Sequence, residues 1–225
     1  MKILCVADHQ DPLVYSNSIK TRFKDVDLVL GAGDLPLEYY GFIVSSLNKP
    51  LYFVFGNHNL KRWNKIRGKS TPATGELWED LKLKDNFGAT FMDDRARKVE
   101  NILLAGLGGS MRYNDGENQY TDFQMFLRVL CLLPRLLWNK LIHGRFLDIL
   151  LTHAPPRDIH DKPDRCHTGF KIFRWFMRAF KPKYLIHGHI HLYELGEVRR
   201  TMYEQTEVVN CYDHILIDFE VNPKK

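Results

Sequence analysis

Short apolar runs recur along the chain, and each stops abruptly at a polar cluster. Residues 3–7 are continuously apolar, the pattern of a strand buried on both faces, and they end at Asp8, His9, Gln10, Asp11 and Pro12. The run at 27–31 leads into Ala32, Gly33 and Asp34, and the run at 50–55 into Gly56, Asn57 and His58. Between these runs the pattern predicts helices over 16–23 and from Pro36 to about 47. Proline suits a first helical turn because that position leaves its amide unpaired anyway. A short helix is expected over 77–85 and a strand over 98–106. The strand closes on Leu107, Gly108, Gly109 and Ser110, whose glycines permit a tight approach or a hinge.

Thr121 and Gln124 have capping-box spacing, the hydroxyl accepting from a backbone amide while the glutamine reaches back, so a helix starts there. It covers 122–142, is apolar on nearly every side, and is expected to kink at Pro134. Such a helix is read first as a buried cap or a subunit contact, the latter making a homodimer; a membrane-surface helix and a partner groove are the competing readings. The strand at 148–152 ends at His153, before Ala154, Pro155 and Pro156, which no helix or central strand would continue. A loop carrying Asp158, Asp161, Asp164 and His167 leads to an aromatic-rich helix over 170–180. A strand at 184–186 then ends in His187, Gly188, His189, Ile190 and His191. Short alternating segments at 198–203, 207–211 and 215–219 read as antiparallel strands.

Strands alternating with helices argue a largely parallel sheet, and ligands of open α/β sheets bind outside the carboxyl ends of the strands. The polar tips therefore converge. A chain of 225 residues, 44% hydrophobic and 26% charged, suits one soluble domain with a sizeable core. A net charge of +5 and a pI near 8.9 favour small anionic substrates and fall short of a dedicated nucleic-acid binder. Residues 61–69 hold five basic residues and no acid, and read as a solvated loop or a substrate-attracting rim. Cys5, Cys131, Cys166 and Cys211 are far apart, which implies neither a zinc knuckle nor a disulfide framework. No run reaches the ~20 apolar residues of a membrane span and residues 1–8 lack a signal-peptide core, so the cytoplasm is the expected location.

Aspartates, an asparagine and histidines at converging strand ends offer oxygen and nitrogen ligands, which suit divalent first-row ions such as Mn, Fe, Zn or Ni rather than thiolate chemistry. Their number points to two ions. A carboxylate bridges such a pair at ~3.5–4 Å, and the pair holds a hydroxide and clamps phosphoryl oxygens. With Asp8-His9-Gln10, Gly33-Asp34, Gly56-Asn57-His58, Thr152-His153 and Gly188-His189-Ile190-His191 in this order at strand ends, the chain resembles the calcineurin-like metallophosphoesterases over residues 2 to about 218.

The resemblance implies a four-layer α/β/β/α sandwich of two mixed sheets with flanking helices, forming a single domain over 1–225 with a helical cap-like insertion at about 111–145. It implies two divalent ions: Asp8, Asp34 and His191 on one, and Asp34, Asn57, His153 and His189 on the other, with Asp34 bridging. His58 matches the histidine that binds no metal but stabilises the transferring phosphoryl group or protonates the leaving oxygen, work suited to imidazole. The implied reaction is attack of a metal-bound hydroxide on a phosphodiester or phosphomonoester. His187 matches no ligand position and reads as structural.

One position departs from the family pattern. Gln10 stands where the family usually has a histidine ligand, and its amide oxygen is a weaker ligand for these ions. His9 is no stand-in, because neighbouring residues of an extended strand point to opposite sides. Arg112, Tyr113, Asn114 and His167 lie in segments free to reach over the metal pair and are the substrate-side candidates. The favoured substrate is a small or medium phosphate ester. A nuclease on single-stranded or damaged nucleic acid is the runner-up, and a scaffold that kept only the fold is the non-enzymatic alternative. Gln10→His is expected to raise occupancy of the first ion toward one per chain, as read by metal counting on purified protein; equal, full occupancy of two ions in both proteins counts against a weakened first site.

Overall fold

Two mixed sheets stack face to face because most of their strands are apolar on both sides. The computed structural model describes residues 1–58, 87–194 and 196–220; the helix expected at 77–85 and the basic run at 61–69 lie outside them. The first sheet contains β1 (Lys2–Ala7), β2 (Leu28–Gly31), β3 (Leu51–Phe53), β4 (Thr90–Phe91) and β13 (Asp213–Asp218), in the order β13-β1-β2-β3-β4. Its members from β1 to β4 are parallel, and β13 pairs antiparallel with β1. The second contains β5 (Arg95–Val99), β6 (Ile102–Leu107), β9 (Ile149–Thr152), β10 (Tyr184–His187), β11 (Arg200–Tyr203) and β12 (Thr206–Asn210), in the order β11-β12-β10-β9-β6-β5. Four central strands are parallel, and the edges β5 and β11 run antiparallel. A small ribbon pairs β7 (Ser110–Met111) with β8 (Gln119–Tyr120).

Side chains alternate along each strand, so one face of β1 sends Ile3, Cys5 and Ala7 toward the second sheet while Leu4 and Val6 point outward. The inter-sheet core joins these to Leu30, Leu104, Leu151, Ile186 and Val209. Outside the first sheet lie α1 (Ile19–Arg22) and α2 (Leu37–Leu47), whose Tyr39, Tyr40 and Ile43 cover Leu4, Val29 and Phe53. Outside the second lie α3 (Asp122–His143) and α4 (Lys171–Phe180), which cover Leu103, Leu150 and Leu185 with Val129, Leu132, Leu136, Phe173 and Phe176. The result is an α/β/β/α sandwich. The segment expected to be a cap-like insertion thus places the inner side of its long helix in the outer helical layer.

Four local expectations are corrected. Residues 98–106 are two strands: Val99 pairs with Ile102 across a turn in which Glu100 takes φ 51°, and the chain reverses. Neither turn residue is glycine, but the polar pair Glu100 and Asn101 interrupts the apolar pattern where the chain turns. Pro36 sits at the N-cap with ψ 145°, one residue ahead of the first turn, since its fixed φ suits an extended entry equally well. The helix expected over 16–23 is a single turn from Ile19. β12 is parallel to β10 in the sheet interior, leaving only β11 and β13 of the last three strands purely antiparallel.

The start of α3 follows its sequence signal. Gln124 N donates to Thr121 Oγ1 at 3.2 Å and Thr121 N donates to Gln124 Oε1 at 2.9 Å, so two otherwise unpaired amides at this helix end are satisfied. The helix then runs through Pro134 and ends at Gly144, whose φ of 71° is easy only for glycine. Thr121→Ala should cost about 1 kcal/mol of stability in urea unfolding, with an unchanged slope of free energy against urea.

Candidate metal centre

The carboxyl ends of both sheets meet at one edge of the sandwich. Asp8 follows β1, Asp34 follows β2 and Asn57 follows β3, while His153 and His189 follow β9 and β10. Hydrogen bonds tie these tips together, two of the following three across the sheets. His189 N donates to Asp8 Oδ2 at 2.8 Å, His153 Nδ1 lies 2.7 Å from Ala32 O, and His58 N donates to Asp34 Oδ1 at 2.9 Å. Asp8, Asp34 and His189 all adopt left-handed backbone conformations, with φ of 65°, 55° and 66°. Such angles turn the chain sharply at the strand end, at an energetic cost.

The glycines of these tips are present because nothing larger fits. A Cβ on Gly56 would lie 2.1 Å from Asp34 Oδ1 and 2.6 Å from His153 Cε1. One on Gly188 would lie 2.5 Å from Asp8 Oδ2, and one on Gly33 would lie 2.5 Å from Gly56 N. Backbone is thereby brought against ligand, and the acceptors are packed into one small space.

Asp34, His153 and His189 each offer a ligand atom, all within 4.8 Å of one another. His153 Nε2 lies 3.3 Å from Asp34 Oδ2, 3.0 Å from Asn57 Oδ1 and 3.1 Å from His189 Nδ1. Each histidine has its other ring nitrogen on a carbonyl, His153 on Ala32 O and His189 Nε2 on Cys166 O at 2.7 Å. That arrangement holds the remaining nitrogens toward Asp34, as outer hydrogen bonds orient metal-binding imidazoles. Burial opposes charge on both Asp34 and His153, yet their mutual attraction wins: the Asp34 carboxyl is held below its usual range and the His153 imidazolium is stabilised. Burial, with the charge of His153 adding to it, keeps His189 neutral.

The second group lies beside it. Asp8 has 1% of its side chain exposed, and burial pushes its carboxyl up to about 7 although His153 pulls the other way. Its Oδ1 is buried without a hydrogen-bond partner, 4.0 Å from His191 Nε2. An orphaned carboxylate oxygen facing an imidazole fits a cation, and so does a cluster made of carboxylate, amide oxygen and imidazole. His191 is half-exposed, with Nδ1 2.8 Å from Tyr193 Oη and its ring against Tyr212 at 5.0 Å.

The other expected residues divide. Gln10 is half-buried and makes no hydrogen bond among the described residues. His58 is exposed at the rim. Tyr113 reaches the cluster, its hydroxyl accepting from Asn57 Nδ2 at 3.0 Å. Arg112 turns to Gln124 Oε1 and Gln119 O, and Asn114 Oδ1 accepts from Gly116 N and Gln119 Nε2, so both brace the 108–120 segment. His167 pairs with Asp164 at 2.8 Å, its ring 5.5 Å from that of His189. His187 stands apart, buried, with Nε2 2.9 Å from His160 Nδ1. His9 points to Asp213 Oδ1 at 2.7 Å, away from the ligand cluster. Tyr212, which packs against His191, was not among the expected residues; it lies just after β12, where a polar stretch follows an apolar strand as at the other tips.

Residues 1–193 match the calcineurin-like phosphoesterase family, and the chain belongs to it. An uncharacterised protein of Methanocaldococcus jannaschii, MJ1162, is 31% identical over 108 residues, which cover 44% of this chain and 45% of that protein. The chain therefore matches less than half the length of that relative. The crystal structure of TT1561 of Thermus thermophilus superposes with a TM-score of 0.60 at 14% identity, covering 94% of this chain and 89% of that one. A further crystal structure superposes with a TM-score of 0.62 at 13% identity, covering 96% of this chain and 94% of that one. At such identities the likeness is one of fold, and both neighbours have the metallophosphoesterase type of fold.

Gly56→Ala tests the packing of the centre. The added methyl must push Asp34 or His153 aside, so bound metal should fall below one ion per chain while stability drops by about 1–3 kcal/mol, checked by elemental analysis and urea unfolding.

Proposed function

We propose that the chain is a metal-dependent phosphoesterase that hydrolyses a small or medium phosphodiester or phosphomonoester at this edge of the sandwich. The observation that carries the reading is the set of acceptors from Asp34, Asn57, His153 and His189 facing one space, with the unpartnered Asp8 oxygen beside it. Asp34, Asn57, His153 and His189 would hold one divalent ion, and Asp8, Asp34 and His191, with Gln10 marginal, the other. Divalent ions there supply Lewis-acid charge to a phosphoryl group and make water acidic enough to lose a proton near neutral pH.

The chain's own groups do the rest. Asp34 would bridge the two ions, and its Oδ1 accepts from His58 N. The same bond anchors the backbone of His58, leaving its exposed imidazole at the rim to donate a proton to a departing alkoxide. Tyr113 accepts from the Asn57 amide and so holds that side chain with its oxygen toward His153. Fold and chemistry are assigned to one domain over the whole chain. The ions are expected among Mn, Fe, Zn and Ni.

A metal-supplemented hydrolysis panel of a generic phosphodiester, a phosphomonoester, cyclic nucleotides and single-stranded DNA tests the proposal. Asp34→Ala should fall to background, and His58→Ala should lose roughly 10²–10⁴-fold in kcat with metal still bound. Absence of activity with every metal, or activity untouched by either substitution, sinks the catalytic reading. Salt-sensitive DNA binding with DNA hydrolysis would transfer it to the nuclease.

A further inference from the structure

The outward side of α3 is as apolar as its buried side. Met125, Val129, Leu132 and Leu136 face the sheet, while Phe123, Leu127, Leu130, Leu137 and Leu141 are exposed on the opposite side of the helix. Leu141 is 76% exposed and Trp138, alongside, 54%. A helix that covers a sheet should carry its polar residues on the outside, and this one instead confines them to its flanks. Its charged residues other than Asp122 are all basic, and positions 123–147 contain no aspartate or glutamate at all.

Two of the basic residues there are committed internally, Arg128 to Asp93 and Asp94 and Arg145 to Asp148. Arg135 and Lys140 are exposed on the flanks, and Arg97 and Lys98 are exposed on the neighbouring strand β5. Lys98, Arg145 and Arg135 all act on His143 at the end of the helix, adding their repulsion to the effect of desolvation in lowering its pKa. The apolar face is therefore rimmed by positive charge, Lys140 reaching only the uncharged Gly144 O and the Phe146 ring.

We propose that α3 lies in the plane of an anionic lipid surface, with this apolar face in the headgroup boundary and Arg135, Lys140 and Lys98 against lipid phosphates and carboxylates. Charge complementarity selects this occupant. A second copy packed on the same face through a two-fold axis would set a basic, acid-free flank against its own like. An indole at the end of such a face suits the lipid boundary, where one edge is apolar and the other wet. No described helix is long and apolar enough to cross a membrane, so the helix rests on the surface. The inference is independent of the phosphoesterase reading, because none of these residues belongs to the ligand cluster.

The test is co-sedimentation of the full chain with vesicles of phosphatidylcholine alone or with about 30% phosphatidylserine. Binding to the anionic vesicles should exceed that to neutral ones by roughly tenfold and weaken at high salt. Leu137→Glu with Leu141→Glu should abolish it, with circular dichroism and phosphoesterase activity unchanged. Arg135→Glu with Lys140→Glu supplies a second variant that leaves the apolar face intact, and it should remove the preference for anionic lipid. Absence of vesicle binding overturns the proposal. So does a dimer in gel filtration that Leu137→Glu dissociates, which would assign the face to a second copy.

Discussion

Every part of the centre depends on forcing hydrogen-bond acceptors into one another's company. Asp34 Oδ2, Asn57 Oδ1 and the inward nitrogens of His153 and His189 lie around a common point, and acceptors repel unless positive charge lies between them. The mutual attraction of His153 and Asp34, which raises the imidazole's pKa and lowers the carboxyl's, acts in that sense. The arrangement persists because two stacked sheets hold the tips from opposite sides, and because Gly33, Gly56 and Gly188 let backbone and ligand come within a distance no side chain would tolerate. Packing of the sheets is thus the source of the site's chemistry.

The same packing explains why the 108–120 segment is well braced. Asn118 donates to Gly56 O at 2.8 Å, Arg128 donates to Gly108 O at 2.7 Å and lies 4.2 Å from the centre of the Tyr120 ring, and Gln119 Oε1 accepts from the amides of Tyr113 and Asn114. Tyr113 is therefore delivered to Asn57 by a scaffold of polar contacts rather than by a free loop. Arg112 and Asn114 belong to that scaffold, which accounts for their distance from the role their residue types suggest.

Much of the fold was legible because strands buried on both faces read as continuous apolar runs, and because a ligand cluster built at strand ends interrupts those runs with polar residues. The tip residues Asp8, Asp34, Asn57, His153 and His189 each carried that signature. The Glu100 reversal left only a short polar mark, Glu100 and Asn101, which without glycine reads equally as part of one strand. The surroundings of His191 were hidden for a different reason: Tyr212 reaches it from a distant segment, and such a contact has no local pattern. Sequence order also could not separate the two sheets, since β1 to β3 and β9 to β10 show the same alternation and differ only in their partners.

The left-handed backbone at Asp8, Asp34 and His189 sets stability and chemistry against each other at the level of single residues. Glycine would occupy any of these three positions with less backbone strain, and each such change would also remove a side chain of the candidate centre. At Asp8 and Asp34 the relief would also leave the amides of His189 and His58 without their carboxylate acceptors, so backbone strain and tip-joining hydrogen bonds are held together at this edge.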